Sequence, residues 1–312
     1  MQLSFTMKDD KQKLIVIGGP TASGKSSLAV KLAQHFDGEV VNADSMQVYR
    51  HMDVGTAKPS VEEKEGIAHH LLDVVDPDED FNAAIYRTMA VPQLKEIASR
   101  KKLCFIVGGT GLYIKTLLGG IIDCPPTSPV LREKIREECD KHGSDALHHR
   151  LKMLDPESAL KIHPHDSLRI IRALEIIHLT HERPSSLMRR HGFRGGPFRA
   201  LKICLQIDRK HLYHRINERC LLMVESGLVG ETESLLNKGY SPSLKPLKSL
   251  GYRHMIKYLL GDWDLEEAVI RLQADTRRYA KRQLTWFRAD PEVLWMIPEE
   301  TDNIIKKIYE FI

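Results

Sequence analysis

The hydrophobic positions of the chain come in two rhythms. Short continuous apolar runs at residues 14–18 (LIVIG), 39–43 (EVVNA) and 103–107 (LCFIV) have the character of strands buried on both faces of a parallel sheet. Between them the apolar positions take helical spacing, over residues 26–36, where Leu28, Ala29, Leu32 and Ala33 share one face, and over residues 82–100. Strand, helix, strand in that order predicts an α/β fold, a parallel sheet covered by helices.

The rhythm changes after Asp123. Residues 124–129 (CPPTSP) read as a turn-rich hinge, and amphipathic helices are predicted over residues 130–141, 144–154 and 167–180. Residues 189–197 (RRHGFRGGP) read as a basic, glycine-containing loop carrying Arg189, Arg190 and Arg194. Strand character returns at residues 201–207 (LKICLQI), followed by helices over 210–225, 228–238 and, longest of all, 265–288. The simplest organisation is an α/β core formed by residues 1–123 and 200–312, with a helical C-terminal part, interrupted by a helical insertion domain over residues 124–199.

Composition changes this picture little. A chain of 312 residues, 42% hydrophobic and 28% charged, suits one large or two modest domains with a sizeable core. A net charge of +4 is too small an excess to argue for nucleic acid, so the placement of charge must do so. Five cysteines, an odd number without a CxxC, disfavour a disulfide framework or a zinc site and fit a reducing compartment. The fifteen histidines are scattered; the pairs His69-His70 and His148-His149 lack a third ligand at metal spacing and read as structural. The start of the chain has no apolar signal core, and there is no run of 18 apolar residues. The expectation is a cytoplasmic protein without a membrane anchor, and a monomer, since no heptad stands out.

The chemistry begins at the end of the first strand. Gly19-Pro20-Thr21-Ala22-Ser23-Gly24-Lys25-Ser26 matches G-x-x-x-x-G-K-[ST] between an apolar strand and a helix, the context that a phosphate-binding P-loop requires. Glycines let backbone N–H groups turn around an anion, the helix N-terminus adds its positive end, Lys25 adds a charge, and Ser26 is placed to ligate Mg²⁺. The loop reports a phosphate, not its hydrolysis. A hydrolytic NTPase would add an apolar strand ending in Asp for the metal, whereas the strand ending at Val107 runs into Gly-Gly-Thr. The strand that does end in a carboxylate leads to Asp44, a candidate metal partner, general base or simple cap.

From here the residues resemble a known family. Asp44-Ser45-Met46-Gln47-Val48-Tyr49, Gly55-Thr56-Ala57-Lys58-Pro59, His69-His70-Leu71-Leu72-Asp73 and Gly108-Gly109-Thr110-Gly111-Leu112-Tyr113 follow the P-loop in order. Arg169-Ile170-Ile171-Arg172-Ala173-Leu174-Glu175, Gly251-Tyr252-Arg253 and Thr276-Arg277-Arg278-Tyr279-Ala280-Lys281-Arg282-Gln283-Leu284-Thr285-Trp286 come later. The set, spanning residues 14–288, is similar to that of the tRNA dimethylallyltransferases, also called tRNA isopentenyltransferases. The resemblance implies a P-loop NTPase-like core, an insertion that grips the anticodon stem-loop, dimethylallyl diphosphate as donor, the N6 amino group of the adenosine beside the anticodon (position 37) as acceptor, and Mg²⁺ held by Ser26 and Asp44. It gives Asp44 the general-base role and puts Lys25, Thr110 and Arg219 at the diphosphate and reaction centre, with residues 19–26 around the donor. It assigns tRNA-facing positions to Asp44, Ser45, Met46 and Gln47, to Arg132, to Leu168, Arg169, Ile170, Ile171 and Arg172, to Gly251, Tyr252 and Arg253, and to Lys281, Arg282, Gln283, Trp286 and Arg288. No cysteine/histidine zinc finger follows the core, unlike the extended eukaryotic form.

The implied chemistry suits these residues. Breaking a C–O bond to diphosphate gathers negative charge on the leaving group, which N–H donors, Lys25, Arg219 and Mg²⁺ oppose. The adenine amino group is a poor nucleophile, so a carboxylate that takes its proton helps, and the base must leave its stack to reach such a centre. The 265–288 helix carries Arg271, Arg277, Arg278, Lys281, Arg282 and Arg288, with Asp275 the only acid between Arg271 and Arg288; alone it is a solvated face, beside the other basic segments an RNA-facing one. Three rivals share the P-loop. An adenylate isopentenyltransferase, prenylating a free nucleotide, would have little use for the insertion or the basic helix. A P-loop kinase would use Asp44 to activate a hydroxyl. A non-catalytic RNA-binding protein would have no need of an intact Lys25, Ser26 and Asp44.

Overall fold

The structure, a computed structural model, describes residues 11–122, 124–125, 127–193 and 196–312. Asp123 and Pro126 of the expected hinge, Arg194 and Gly195 of the expected basic loop, and residues 1–10 lie outside the described residues. In chain order the elements are β1 (Gln12–Gly18), α1 (Lys25–His35), β2 (Gly38–Asn42), β3 (His69–His70), α2 (Ala83–Ser99), β4 (Leu103–Val107), α3 (Gly111–Gly119), α4 (Pro129–His142), α5 (Ser144–Leu154), α6 (Pro156–Lys161), α7 (Ser167–Thr180), α8 (Pro184–His191), β5 (Phe198–Leu205), α9 (Arg209–Glu225), α10 (Leu228–Asn237), α11 (Tyr252–Leu259), α12 (Leu265–Arg288), β6 (Val293–Met296) and α13 (Thr301–Phe311). They divide into two compact units, residues 1–118 with 196–312, and residues 119–195.

The first unit is built on a parallel sheet of order β3-β2-β4-β1-β5-β6. β1 lies inside it, paired with β4 from Leu14↔Cys104 to Ile17↔Val107 and with β5 from Gln12↔Phe198 to Gly18↔Cys204. One of its neighbours thus enters the sheet only after the chain has made the whole second unit. Alternation along the strands splits the core in two. Leu14, Val16, Val41, Cys104 and Ile106 join Leu94, Leu212, Met255, Leu272 and Phe287 of the covering helices on one face. Ile15, Ile17, Val40, Phe105 and Ile203 join Leu28 and Leu32 of α1 and Ile304 and Ile308 of α13 on the other. Burial of both faces is why β1, β2 and β4 read as unbroken apolar runs.

The second unit is helical. Ile135, Leu147, Leu151, Ile170, Ile171 and Leu174 form its core. Glu175, 0% exposed, accepts hydrogen bonds from Ser128 N, Arg132 and Arg172, and Arg172 also donates to Pro125 O, so one buried carboxylate fastens the start of α4 to α7. These partners hold the Glu175 carboxyl below its usual range despite the opposing effect of burial.

Two expectations change. The basic stretch from Arg189 is not wholly a loop: Arg189, Arg190 and His191 form the last turn of α8. Pro184 opens that helix, the cations sit at its negative end, and Gly192 closes it with φ 60. The C-terminal part is not purely helical, because β6 adds an edge strand beside β5 before α13.

Candidate active site

The P-loop follows β1 directly, at the C-terminal end of the parallel strands, where α/β sheets take their ligands. Gly24, with φ 84, turns the chain into α1, and Lys25 is the first residue of that helix. A Cβ on Gly24 would have nothing within 4 Å, so its glycine is set by the left-handed backbone. Ser23 is fully buried and its Oγ has no hydrogen-bond partner, an unspent polar group inside the cradle. The Lys25 ammonium donates to Pro20 O at 2.7 Å. Its burial, set against the nearby Asp44 carboxylate and reinforced by the Arg219 guanidinium, brings its pKa down to about 8.

Arg219 reaches the loop from α9 and donates to Thr21 Oγ1. Burial lowers its pKa as well, with Asp44 nearby acting in the opposite direction. Two cations are thus gathered beside one carboxylate in a partly desolvated place. That arrangement favours an incoming polyanion.

Asp44 stands just past β2. Its N–H donates to Asn42 Oδ1 at 2.9 Å and its Oδ1 accepts from Met46 N at 2.9 Å, an Asx turn that fixes the carboxylate. Thr110, from the turn after β4, accepts from Ser45 N at 3.0 Å while its own N–H donates to Ala43 O at 3.1 Å. A single polar pocket is lined by Lys25, Ser26, Asp44, Gln47, Arg219 and Gln283, among others. Thr21 of the loop lines it too.

The motif residues differ in where the fold places them. Gln283 is buried; its Oε1 accepts from Thr21 N at 2.8 Å and its Nε2 donates to Gly109 O at 3.1 Å. It braces the P-loop against the β4 turn while also lining the pocket. A Cβ on Gly109 would lie 2.0 Å from Gln283 Nε2, one on Gly111 2.0 Å from the Trp286 ring, and one on Gly18 2.8 Å from Phe287. Three residues of α12 therefore meet Gly18, Gly109 and Gly111, and Trp286, docked on Gly111, still keeps 40% of its surface exposed. Tyr252 is fully buried and Gly251, at φ 88, turns the chain into α11, so neither offers a side chain to RNA. The side chains of Ile170 and Ile171 belong to the core of the second unit. Leu168, at 75%, and Arg169, at 66%, are open to solvent. Lys281, Arg282 and Arg288 are exposed, and Arg253 is half-exposed and paired with Asp275.

Sequence reasoning missed Asn42 and Thr56 as pocket residues. His69, read as structural, also lines the pocket while its Nδ1 bonds to Ile67 O at 2.9 Å. The ordered HHLLD and GTAKP motifs were the available signal, but spacing alone does not say that both fold over the P-loop.

No group of three or more His, Cys, Asp or Glu side chains that would hold a metal occurs among the described residues. A resident all-protein metal cage is therefore not what the pocket provides. Ser26 and Asp44 both line the pocket, and a hydroxyl with a carboxylate suits a Mg²⁺ ion that takes most of its ligands from phosphate and water.

Comparison with known proteins agrees with this geometry. The family model described as IPP transferase matches residues 47–290. The tRNA dimethylallyltransferase 2 of Geotalea uraniireducens is 48% identical over 304 residues, 97% of this chain and 98% of that one. The tRNA dimethylallyltransferase of Geobacter sulfurreducens is 50% identical over 295 residues, 94% and 95% of the two chains. Among solved structures, the full-length tRNA isopentenylpyrophosphate transferase of Bacillus halodurans superposes with a TM-score of 0.72 at 40% identity, over 96% of each chain. A eukaryotic dimethylallyltransferase acting on tRNA superposes with a TM-score of 0.79 at 31% identity, over 92% of this chain and 74% of that one.

Proposed function

The chain belongs to the IPP transferase family of tRNA dimethylallyltransferases, and on that premise we propose that its pocket joins a dimethylallyl group to an adenosine of tRNA. The donor is dimethylallyl diphosphate, and the acceptor is the N6 amino group of the adenosine beside the anticodon, position 37. The observation that carries the reading is the gathering of Lys25, Arg219 and Asp44 in one pocket at the P-loop.

The P-loop N–H groups of residues 19–26, Lys25 and Arg219 take the diphosphate. Their charge is matched to the charge that grows as the bond from the allylic carbon to the bridging oxygen breaks. The N6–C bond forms as that bond breaks, and the departing N6 proton passes to Asp44, which the Met46 N–H bond holds in place. Thr110, bonded to Ser45 N, keeps the Asp44 turn and the β4 turn in register. Ser26 and Asp44 would hold Mg²⁺, which would supply further charge neutralisation. RNA reaches the site along the exposed cations of α12, Lys281, Arg282 and Arg288, and along Arg253, with Arg132, Leu168, Arg169 and Arg172 of the 119–195 unit as further contacts to the anticodon arm.

The Asp44→Asn variant tests the assignment. Turnover is expected to fall by about 10²–10⁴-fold, the usual range for a lost general base, with tRNA affinity changed only a few-fold. A parallel collapse of affinity and turnover would mean that Asp44 is a binding or folding residue instead.

A further inference from the structure

Glu231 lies on α10 and is not among the residues lining the pocket, yet its carboxylate is fully committed. Oε2 accepts from Asp53 N and Val54 N, each at 2.8 Å, and Oε1 accepts from Gly55 N at 3.0 Å and from the Tyr252 hydroxyl at 2.6 Å. Four donors fill the acceptor sites of a carboxylate. Gly55 lies so close against the Tyr252 ring that a Cβ there would sit 2.4 Å from a ring carbon. Lys58, its side chain only 5% exposed, ties the far end of the same loop to Tyr49 O at 2.9 Å and to Asp53 and Asp73. The loop backbone is thus held at both ends.

That backbone holds Gln47. The Gln47 Nε2 donates to Thr56 O at 3.2 Å and to Ala57 O at 3.0 Å. Only the NH₂ end of an amide can satisfy two carbonyls, so the flip of this side chain is fixed and both of its hydrogens are used. The carbonyl oxygen is left over as an acceptor on a residue that lines the same pocket as Asp44. An acceptor there matches an exocyclic amino group. A base with a carbonyl in that place would face it with a second acceptor and leave both unpaired.

We infer that Glu231 is a positioning residue for acceptor recognition: by pinning the 53–57 loop it locks the Gln47 amide with its carbonyl oxygen ready for the adenine amino group. The inference rests on the proposed prenylation of tRNA and deepens it, because it names what distinguishes an amino-bearing base from other bases. It also gives the buried Tyr252 a task, as the fourth donor to Glu231.

The test is a double-mutant cycle on kcat/KM for prenyl transfer to an anticodon-loop hairpin, using the full chain with Mg²⁺ and labelled dimethylallyl diphosphate. Glu231→Gln and Gln47→Leu are each expected to lose about tenfold, the size of one misplaced hydrogen bond, and the double variant no more than either single one. The KM for dimethylallyl diphosphate stays at the wild-type value in all three. Tyr252→Phe, which removes one donor and leaves the ring in place, shows a smaller loss that also vanishes in the Gln47→Leu background. Losses that multiply to about a hundredfold would overturn the inference, since Glu231 would then act independently of Gln47; so would a raised KM for the donor. A wild-type protein that leaves the hairpin unlabelled would instead refute the prenyltransferase reading itself, which keeps the two failures apart.

Discussion

At the scale of single residues, Lys25 has the most exposed consequence. Its folded-state pKa of about 8 lies below the ordinary 10.5, so between those values the unfolded chain holds a proton that the folded chain lacks. Stability contributed by this group therefore rises as pH climbs through that window and is lowest below 8. Diphosphate reverses the preference, because it favours the ammonium. Affinity for inorganic pyrophosphate is expected to weaken above pH 8, by up to about tenfold per pH unit, and that component should be missing in Lys25→Met. Calorimetry in two buffers of different ionisation heat measures it: proton uptake on binding at pH 9 supports the account, and none contradicts it. Gln283 supplies a second case. Gln283→Ala should raise the KM for dimethylallyl diphosphate several-fold and leave the KM for tRNA unchanged, since its partners are Thr21 N and Gly109 O. The P-loop and Asp44 were legible in the sequence because their chemistry depends on neighbours in the chain. The place of Gln283 was not, because its partners are 262 and 174 residues away.

At the scale of elements, α12 organises the site more than its charge suggested. The sequence predicted its limits, residues 265–288, and the structure agrees, since the Asp264 cap and an amphipathic pattern are local signals. What the pattern did not carry is that the Gln283, Trp286 and Phe287 side chains meet Gly109, Gly111 and Gly18, just after β4, at the start of α3 and at the end of β1. Gly109→Ala must displace a Gln283 amide already bonded at both ends. A loss of about 1–3 kcal/mol is expected, with weaker pyrophosphate binding. Gly239→Ala, at φ 90 with open space around it, should cost only about 1 kcal/mol of backbone strain and leave pyrophosphate binding unchanged. Thermal melts with and without pyrophosphate separate the two. The edge strand β6 and helix α13 escaped the sequence reading for a related reason: four residues, VLWM, become a strand only because β5 offers an edge to pair with.

At the scale of the whole molecule, the fold class and the order of segments were legible from the two hydrophobic rhythms. The sheet order was not, because β1 pairs with a strand that the chain reaches only after residues 119–195. The RNA-binding account is electrostatic and so depends on salt. Lys281→Glu and Arg282→Glu, both on exposed positions, should weaken tRNA binding and lower the slope of log affinity against log salt by about one or more each, while donor binding stays the same. An unchanged slope would make these residues a merely solvated face. The most direct test of the central claim is incorporation of label. The protein would be incubated with Mg²⁺ and labelled dimethylallyl diphosphate, with either unmodified tRNA or AMP as acceptor and ATP-dependent phosphorylation as a parallel control. The account predicts label in tRNA that disappears when the adenosine beside the anticodon is replaced. Label in AMP, or phosphate transferred from ATP without any prenyl transfer, would contradict it.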